Sequence, residues 1–214
     1  MKHEIKYILF DVAGTLLHKP QFYDLLLTIL NENGYEIDVS DLKLKHKLVS
    51  EVIQFPDRTN KEFYNQFNKT LLFSLGIIPN EKLIDEIFTK CSYLPWEKFE
   101  DTKILSEINL PIGIISNFNT TLKSKLNDFF GPVFKDILVS EELGVSKPNI
   151  EFYKQTVDKI GVSPENILYI GDSLRLDIQP ALELGIKPLL IDRDKFYPNS
   201  KYAIQNLNQI FNHL

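Results

Sequence analysis

Four short stretches hold the side chains with the greatest chemical capacity: Asp11-Val12-Ala13-Gly14-Thr15, Ser116-Asn117, Gly144-Val145-Ser146-Lys147-Pro148, and Gly171-Asp172-Ser173 followed by Asp177. Together they supply two or three carboxylates for a hard cation, one ammonium, and small hydroxyl and amide groups suited to phosphate oxygens. Magnesium takes octahedral oxygen coordination, using one or two carboxylates plus substrate oxygens. An aspartate can also act as a nucleophile and form a phosphoryl-aspartate, which splits one hard displacement into two easier ones. Phosphate chemistry follows naturally from this set. Taken singly, each residue has an ordinary structural use. A Ser-Asn after a strand makes a turn, a Lys-Pro sits in a solvated loop before a helix, and an Asp at a helix start caps it. Capping and turns do not account for all four positions jointly.

The elements that must carry these residues are short strands. Lys6 to Phe10 (KYILF) is a β-branched and aromatic run that stops at Asp11, with Gly14-Thr15 following as turn material. Similar runs recur at Ile112 to Ile115, Asp136 to Val139, Ile167 to Ile170 and Pro188 to Ile191, with helix-length stretches between them. Strands alternating with helices imply an α/β fold, a Rossmann-like parallel sheet covered by helices on both faces. In such a sheet ligands bind outside the carboxyl ends of the strands, which is where the four stretches fall.

From about Gln21 to Cys91 the alternation breaks. Apolar positions there follow helical spacing, as in Tyr23-Leu26-Leu27-Leu30 and Phe63-Phe67-Leu71, with breaks at Asn33-Gly34, Pro56-Asp57 and Pro79-Asn80. About four helices are expected. The predicted organisation is a catalytic core formed by residues 1–17 and 92–214, with a helical module over residues 18–91 inserted after the first strand.

In this order and at these strand ends, the four stretches resemble the four motifs of the haloacid dehalogenase superfamily, and the resemblance covers nearly the whole chain. The inserted helices are similar to the family's helical cap. The resemblance implies a Mg²⁺-dependent hydrolase with Asp11 as nucleophile, attacking phosphorus in line. It implies that Ser116 hydrogen-bonds a transferring oxygen, helped by the backbone N–H of Asn117, and that Lys147 balances the charge of Asp11 and the phosphoryl group. Asp172 would bind Mg²⁺ with Asp11 and the backbone carbonyl of Ala13, while Asp177 would support the metal site or its waters from slightly further out. The cap would close over the site to exclude water during transfer.

Superfamily phosphatases keep an Asp two residues after the nucleophile, to protonate the leaving oxygen and later activate water. This chain has Ala13. The backbone carbonyl can still serve a metal, but the proton transfer is lost, and general acid–base catalysis contributes about 10²–10⁴-fold. One escape is a leaving group that needs no proton, as in an acyl or aryl phosphate or a stabilised carbanion. Phosphonoacetaldehyde hydrolases resemble this chain in having Ala there, with a cap lysine forming a Schiff base. The comparable cap loop, Gln54 to Asn60, offers Arg58 instead, which stays protonated and suits an anionic substrate group. Lys47 and Lys61 would have to reach in from helices. A second escape is His18, seven residues after the nucleophile, as a proton shuttle, against the plainer reading of a solvated hinge histidine. A third is a non-catalytic binding protein with a hydrolase fold. Dehalogenation, in which Asp attack on carbon expels halide without protonation, is a further reading, and metal dependence discriminates it.

The bulk properties set the remaining bounds. With 214 residues, 43% hydrophobic and 25% charged, the chain has material for one full core and a small accessory module. Its net charge of −5 and interspersed charges offer no basic stripe, which argues against nucleic acid as partner. The single Cys91 excludes an internal disulfide, and no apolar run approaches bilayer length. The start Met1-Lys2-His3-Glu4 runs into an apolar stretch interrupted by Asp11, which disfavours a signal peptide. A cytoplasmic protein acting on a small phosphorylated metabolite, with no membrane partner, is the expectation. Phe22, Tyr23, Phe55 and Phe63 could line a pocket, although aromatic residues at helical spacing more often pack a core.

Overall fold

The computed structural model describes residues 4–214. The Met1-Lys2-His3 part of the start considered above lies outside the described residues. Strand β1 (Tyr7–Phe10) has all four side chains buried. After it come β2 (Leu17–His18), four helices α1 (Phe22–Glu32), α2 (Val39–Val52), α3 (Lys61–Ser74) and α4 (Glu81–Cys91), and β3 (Glu97–Lys98). The rest of the chain alternates: β4 (Ile112–Ser116), α5 (Leu122–Phe130), β5 (Asp136–Val139), α6 (Ser140–Leu143), α7 (Ile150–Ile160), β6 (Ile167–Gly171), α8 (Gln179–Leu184), β7 (Lys187–Ile191) and β8 (Ala203–Ile204).

Six of these strands form one sheet in the order β5-β4-β1-β6-β7-β8. Every pairing is parallel, with Phe10 of β1 opposite Ile114 on one side and Ile170 on the other. The continuous apolar runs YILF, IGIIS and ILYIG suit strands covered on both faces. Each of the five expected strands is present, with ends shifted by no more than one residue. The sheet grows outward from β1 through β4 to β5, then the chain returns to lay β6 on the other side of β1. The reversal makes a crevice at the carboxyl ends of the central strands.

The described chain divides into two compact units: the residues up to His18 together with Lys98–Leu214, and Lys19–Glu97. In the first, Tyr7, Leu9, Ile115, Phe152, Tyr153, Ile167 and Tyr169 form a buried cluster between the sheet and its helices. Burying a large apolar side chain contributes about 1.5–3 kcal/mol relative to leaving it in water.

The second unit contains the four expected helices. They bury Leu26, Leu30, Leu42, Phe67, Leu71, Ile84 and Ile87 in one cluster. The starts of α2, α3 and α4 are fixed by side-chain caps. Asp38 accepts from the backbone N–H of Ser40 and Asp41, Asn60 from Phe63, and Asn80 from Leu83. Phe22, Tyr23, Phe55 and Phe63 pack partly buried against this cluster, and the Phe55 and Phe63 rings lie 5.0 Å apart. Among the described residues no helix is long and apolar enough to cross a membrane.

Candidate active site

Asp11 is the first residue beyond β1 and is 6% exposed. Its backbone N–H still bonds the Ile170 carbonyl at 2.8 Å, so the carboxylate is anchored to the sheet. The chain then turns tightly. The Val12 carbonyl accepts from the N–H groups of Leu16 and Leu17 at 2.9 Å each, and Gly14 N–H donates to Leu17 O at 2.8 Å. Gly14 has φ +80°, and a Cβ there would lie 2.5 Å from Asp172 Oδ2. Both the conformation and the approach of Asp172 therefore require glycine. At Gly171 space alone requires glycine, since the Asp177 carboxylate occupies the place a side chain there would take.

Lys147, 2% exposed, reaches this carboxylate group from the loop between α6 and α7. Its Nζ lies 2.7 Å from Asp11 Oδ1, 2.7 Å from Asp177 Oδ1 and 3.1 Å from the Tyr169 hydroxyl. Tyr169 donates to Asp177 Oδ1 at 2.6 Å, and the Ser173 N–H donates to Asp177 Oδ2 at 3.0 Å. The Asn117 side chain clasps the Lys147 backbone, accepting from its N–H at 2.7 Å and donating to its carbonyl at 2.9 Å. Ser116, buried, is the last residue of β4.

Carboxylate oxygens of Asp11, Asp172 and Asp177 lie within 4.8 Å of one another. Three carboxylates facing one ammonium leave a formal charge of −2; Asp11, Asp177 and Lys147 are buried, and Asp172 is half-buried. Burial is the main reason the Asp11 carboxyl is pushed up to about 7. Lys147 opposes that rise, while Asp177 and Asp172 add to it. Burial pulls the Lys147 ammonium down, but Asp11 and Asp177 outweigh it and hold its pKa above the ordinary lysine value. Burial, and then the charge of Asp177, raise the Tyr169 hydroxyl well above its usual range.

Of the residues singled out in the sequence, Asp11, Lys147, Asp172 and Asp177 are drawn together, and Asn117 is tied to Lys147. Ala13 is exposed at the turn. His18 stacks on Phe99 with ring centroids 4.0 Å apart. Arg58 belongs to the second unit, in the loop between α2 and α3; on the helices of that unit Lys47 pairs with Glu51 at 3.4 Å and Lys61 with Asp85 at 2.8 Å. Three contributions escaped the sequence reading: the Tyr169 hydroxyl, the Asn117 side-chain clasp, and Arg193. Tyr169 reads as one more apolar strand residue. Arg193 follows β7 by two residues, and the carboxyl-end rule applied to that strand would have singled it out.

The fold and the site together define a hydrolase of the α/β class with a Rossmann-like sheet. A family model of haloacid dehalogenase-like hydrolases matches residues 5–185, and the chain belongs to that family. A glyceraldehyde 3-phosphate phosphatase of Methanopyrus kandleri is 27% identical over 209 residues, covering 90% of this chain and 86% of that protein. Its namesake in Methanocaldococcus jannaschii is 26% identical over 224 residues, covering 96% and 95%. The magnesium-bound crystal structure of the putative HAD-hydrolase YfnB from Bacillus subtilis matches the fold with a TM-score of 0.68 over 98% of both chains, at 23% identity.

Proposed function

We propose that this hydrolase is a cytoplasmic, Mg²⁺-dependent phosphatase-type enzyme that acts on a small phosphorylated metabolite through an aspartyl-phosphate at Asp11. One observation carries the reading: Lys147 Nζ bridges Asp11 and Asp177 at 2.7 Å each, while the Asp11, Asp172 and Asp177 oxygens cluster within 4.8 Å. The phosphatase names of the two archaeal relatives and the magnesium of the Bacillus protein support it.

The residues present fit Mg²⁺. A hard cation takes oxygen ligands, the cluster's −2 charge matches a divalent ion, and the missing Cβ at Gly14 leaves room for the Asp172 carboxylate. Asp11, Asp172 and the Ala13 carbonyl would hold the ion, with Asp177 acting from further out because its oxygens already accept from Lys147, Tyr169 and Ser173. Bound there, Mg²⁺ would neutralise charge on the phosphoryl oxygens.

The rest of the work falls to the chain. An ionised Asp11 oxygen forms a bond to phosphorus as the bond to the leaving oxygen breaks. Water then attacks phosphorus, releasing phosphate and restoring Asp11. The Ser116 hydroxyl and Asn117 N–H bind a phosphoryl oxygen, and Lys147 offsets the anionic charge. Ala13 gives the leaving oxygen no proton, so leaving groups that are stable as anions, such as those of acyl or aryl phosphates, suit this site. Arg58 is the proposed anchor for an anionic substrate group. A Schiff-base route has less support, since Lys61 pairs with Asp85, which raises the lysine pKa.

The test is hydrolysis of p-nitrophenyl phosphate and acetyl phosphate with and without Mg²⁺, comparing wild type with Asp11→Asn. Turnover that needs Mg²⁺ and disappears in Asp11→Asn is expected. Turnover indifferent to Mg²⁺, or retained by Asp11→Asn, would overturn the reading. Substituting Arg58 by Ala should raise KM, and an unchanged KM removes the anchor role.

A further inference from the structure

Arg193, two residues beyond β7, uses all its nitrogens on the turn that follows the nucleophile and on one carboxylate. Nη1 donates to the Gly14 carbonyl at 3.0 Å and Nη2 to the Thr15 carbonyl at 2.9 Å. Nη2 also meets Asp101 Oδ1 at 2.8 Å and Oδ2 at 3.0 Å, and Nε meets Oδ2 at 3.2 Å. The guanidinium carbon lies 3.8 Å from the Phe99 ring centroid, and the His18 ring lies 4.0 Å from the same centroid. Two groups this near one centroid cannot share a face, so Phe99 is sandwiched between His18 and Arg193. Asp101 in turn accepts from the backbone N–H of Leu207 at 3.0 Å, at the start of the short 3₁₀ helix Leu207–His213.

We propose that Arg193 is a positioning residue for catalysis: it sets the Gly14–Thr15 turn, and through it the Ala13 carbonyl and the approach of Asp172. This inference rests on the phosphatase reading. Gly14 is the pivot, because its Cα packs against the Asp172 carboxylate while its carbonyl is held by Arg193. A shift of the turn moves Ala13 and Asp172 relative to each other. An exposed ion pair would do no such thing, but the Arg193 and Asp101 side chains are only 20% and 13% exposed, and the guanidinium bridges two carbonyls. Only arginine has the rigid fork for that arrangement, since lysine brings a point charge. Asp101 balances the charge, so the clamp holds the turn without adding a net positive charge beside the cluster.

The experiment measures Mg²⁺ binding to the substrate-free full chain by calorimetry, together with acetyl phosphate turnover and melting temperature, for wild type, Arg193→Lys, Arg193→Met and Phe99→Leu. Both Arg193 variants are expected to bind Mg²⁺ about 10-fold or more weakly and to lose a similar factor in kcat, in the range typical of residues that orient metal ligands. Lysine should not rescue. Phe99→Leu removes the stacking surface but none of the hydrogen-bonding groups. It should weaken Mg²⁺ binding in the same direction, and it carries the test should the Arg193 variants not fold. A lowered melting temperature with unchanged Mg²⁺ affinity and kcat would overturn the proposal by leaving Arg193 a structural role only. Full rescue by lysine would overturn it too, since charge alone would then suffice. A wild type that binds no Mg²⁺ overturns both this inference and the phosphatase reading, whereas a Mg²⁺-binding wild type with indifferent variants overturns this inference alone.

Discussion

The Lys147 ammonium meets the Asp177 carboxylate at 2.7 Å where the two side chains are 3% and 1% exposed. Asp177 is itself fixed by the Tyr169 hydroxyl and the Ser173 N–H, and these contacts hold the ammonium from behind while its other side faces Asp11. The lysine is thus placed by one carboxylate in order to serve another. Buried charges of this kind add little net stability while intact, because desolvation offsets the attraction, but removing one partner leaves the other uncompensated.

Lys147→Met should therefore destabilise the protein by about 3–5 kcal/mol near pH 8, the range for breaking a buried pair from one side. The loss should shrink at pH 5, where Asp11, whose carboxyl is pushed up to about 7, is protonated and needs no counter-charge. Lysine titration does not enter this window, because a raised lysine pKa keeps its contribution full below the ordinary lysine value. Urea midpoints at the two pH values decide the matter. An equal loss at both would mean that the carboxylates are not electrostatically dependent on Lys147.

A second prediction concerns pH and metal together. A carboxyl at about 7 in the folded chain and about 3.8 when unfolded takes up a proton on folding between those values. Metal-free stability should then fall as pH rises across that window, and Asp11→Asn should flatten the slope. With Asp11 in its proposed role of nucleophile, turnover requires its ionised form, so without saturating metal the acidic limb should fall below about pH 7. Raising Mg²⁺ should carry the limb to lower pH by holding Asp11 ionised. A limb that ignores Mg²⁺ concentration would place metal binding elsewhere than beside Asp11.

Gly14→Ala is expected to damage metal binding more than the fold. The left-handed conformation costs a non-glycine residue about 1–2 kcal/mol. The new Cβ would also sit 2.5 Å from Asp172 Oδ2, forcing that carboxylate away. A calorimetric loss of Mg²⁺ affinity far larger than the stability change checks this, and an affinity equal to wild type would show that Asp172 can relax without consequence.

The parts of the molecule legible in the sequence were those with a repeating physical signature. KYILF, Asp136 to Val139 and the other apolar runs announced the sheet because strands buried on both faces are apolar throughout. The helical spacing from Tyr23 onward announced four helices, and the cap Asn80 lay in the expected break Pro79-Asn80, while the cap Asn60 falls three residues after the break at Pro56-Asp57. Strands β2, β3 and β8 have two residues each, too short for any period to show. The four charged residues of the cluster stood out by type and by their place after strands. The Tyr169 hydroxyl did not, since a tyrosine inside ILYIG looks like core, and the Asn117 clasp depends on a carboxamide meeting a backbone thirty residues away. Arg193 and Asp101 are 92 residues apart, and only the folded sheet brings them to the same turn.

Ala13, at the position where the resemblance to superfamily phosphatases calls for an aspartate, gives the last prediction. Ala13 is exposed, and its φ is not among the left-handed ones, so an aspartate there would be solvated and unstrained. The neighbouring backbone is fixed independently of the side chain, by Gly14 N–H on Leu17 O and by the bridge between Ala13 and Leu17. Ala13→Asp should therefore add a proton donor to the leaving oxygen without moving the turn. Its kcat/KM on an alkyl phosphomonoester should rise by about 10²-fold or more, the scale of general acid–base catalysis, while acetyl phosphate, whose leaving group needs no proton, should gain little. Parallel assays on the two substrates separate the effects. Equal gains on both would show that the new carboxylate acts on the metal or the nucleophile, and no gain on either would show that proton delivery does not limit this enzyme.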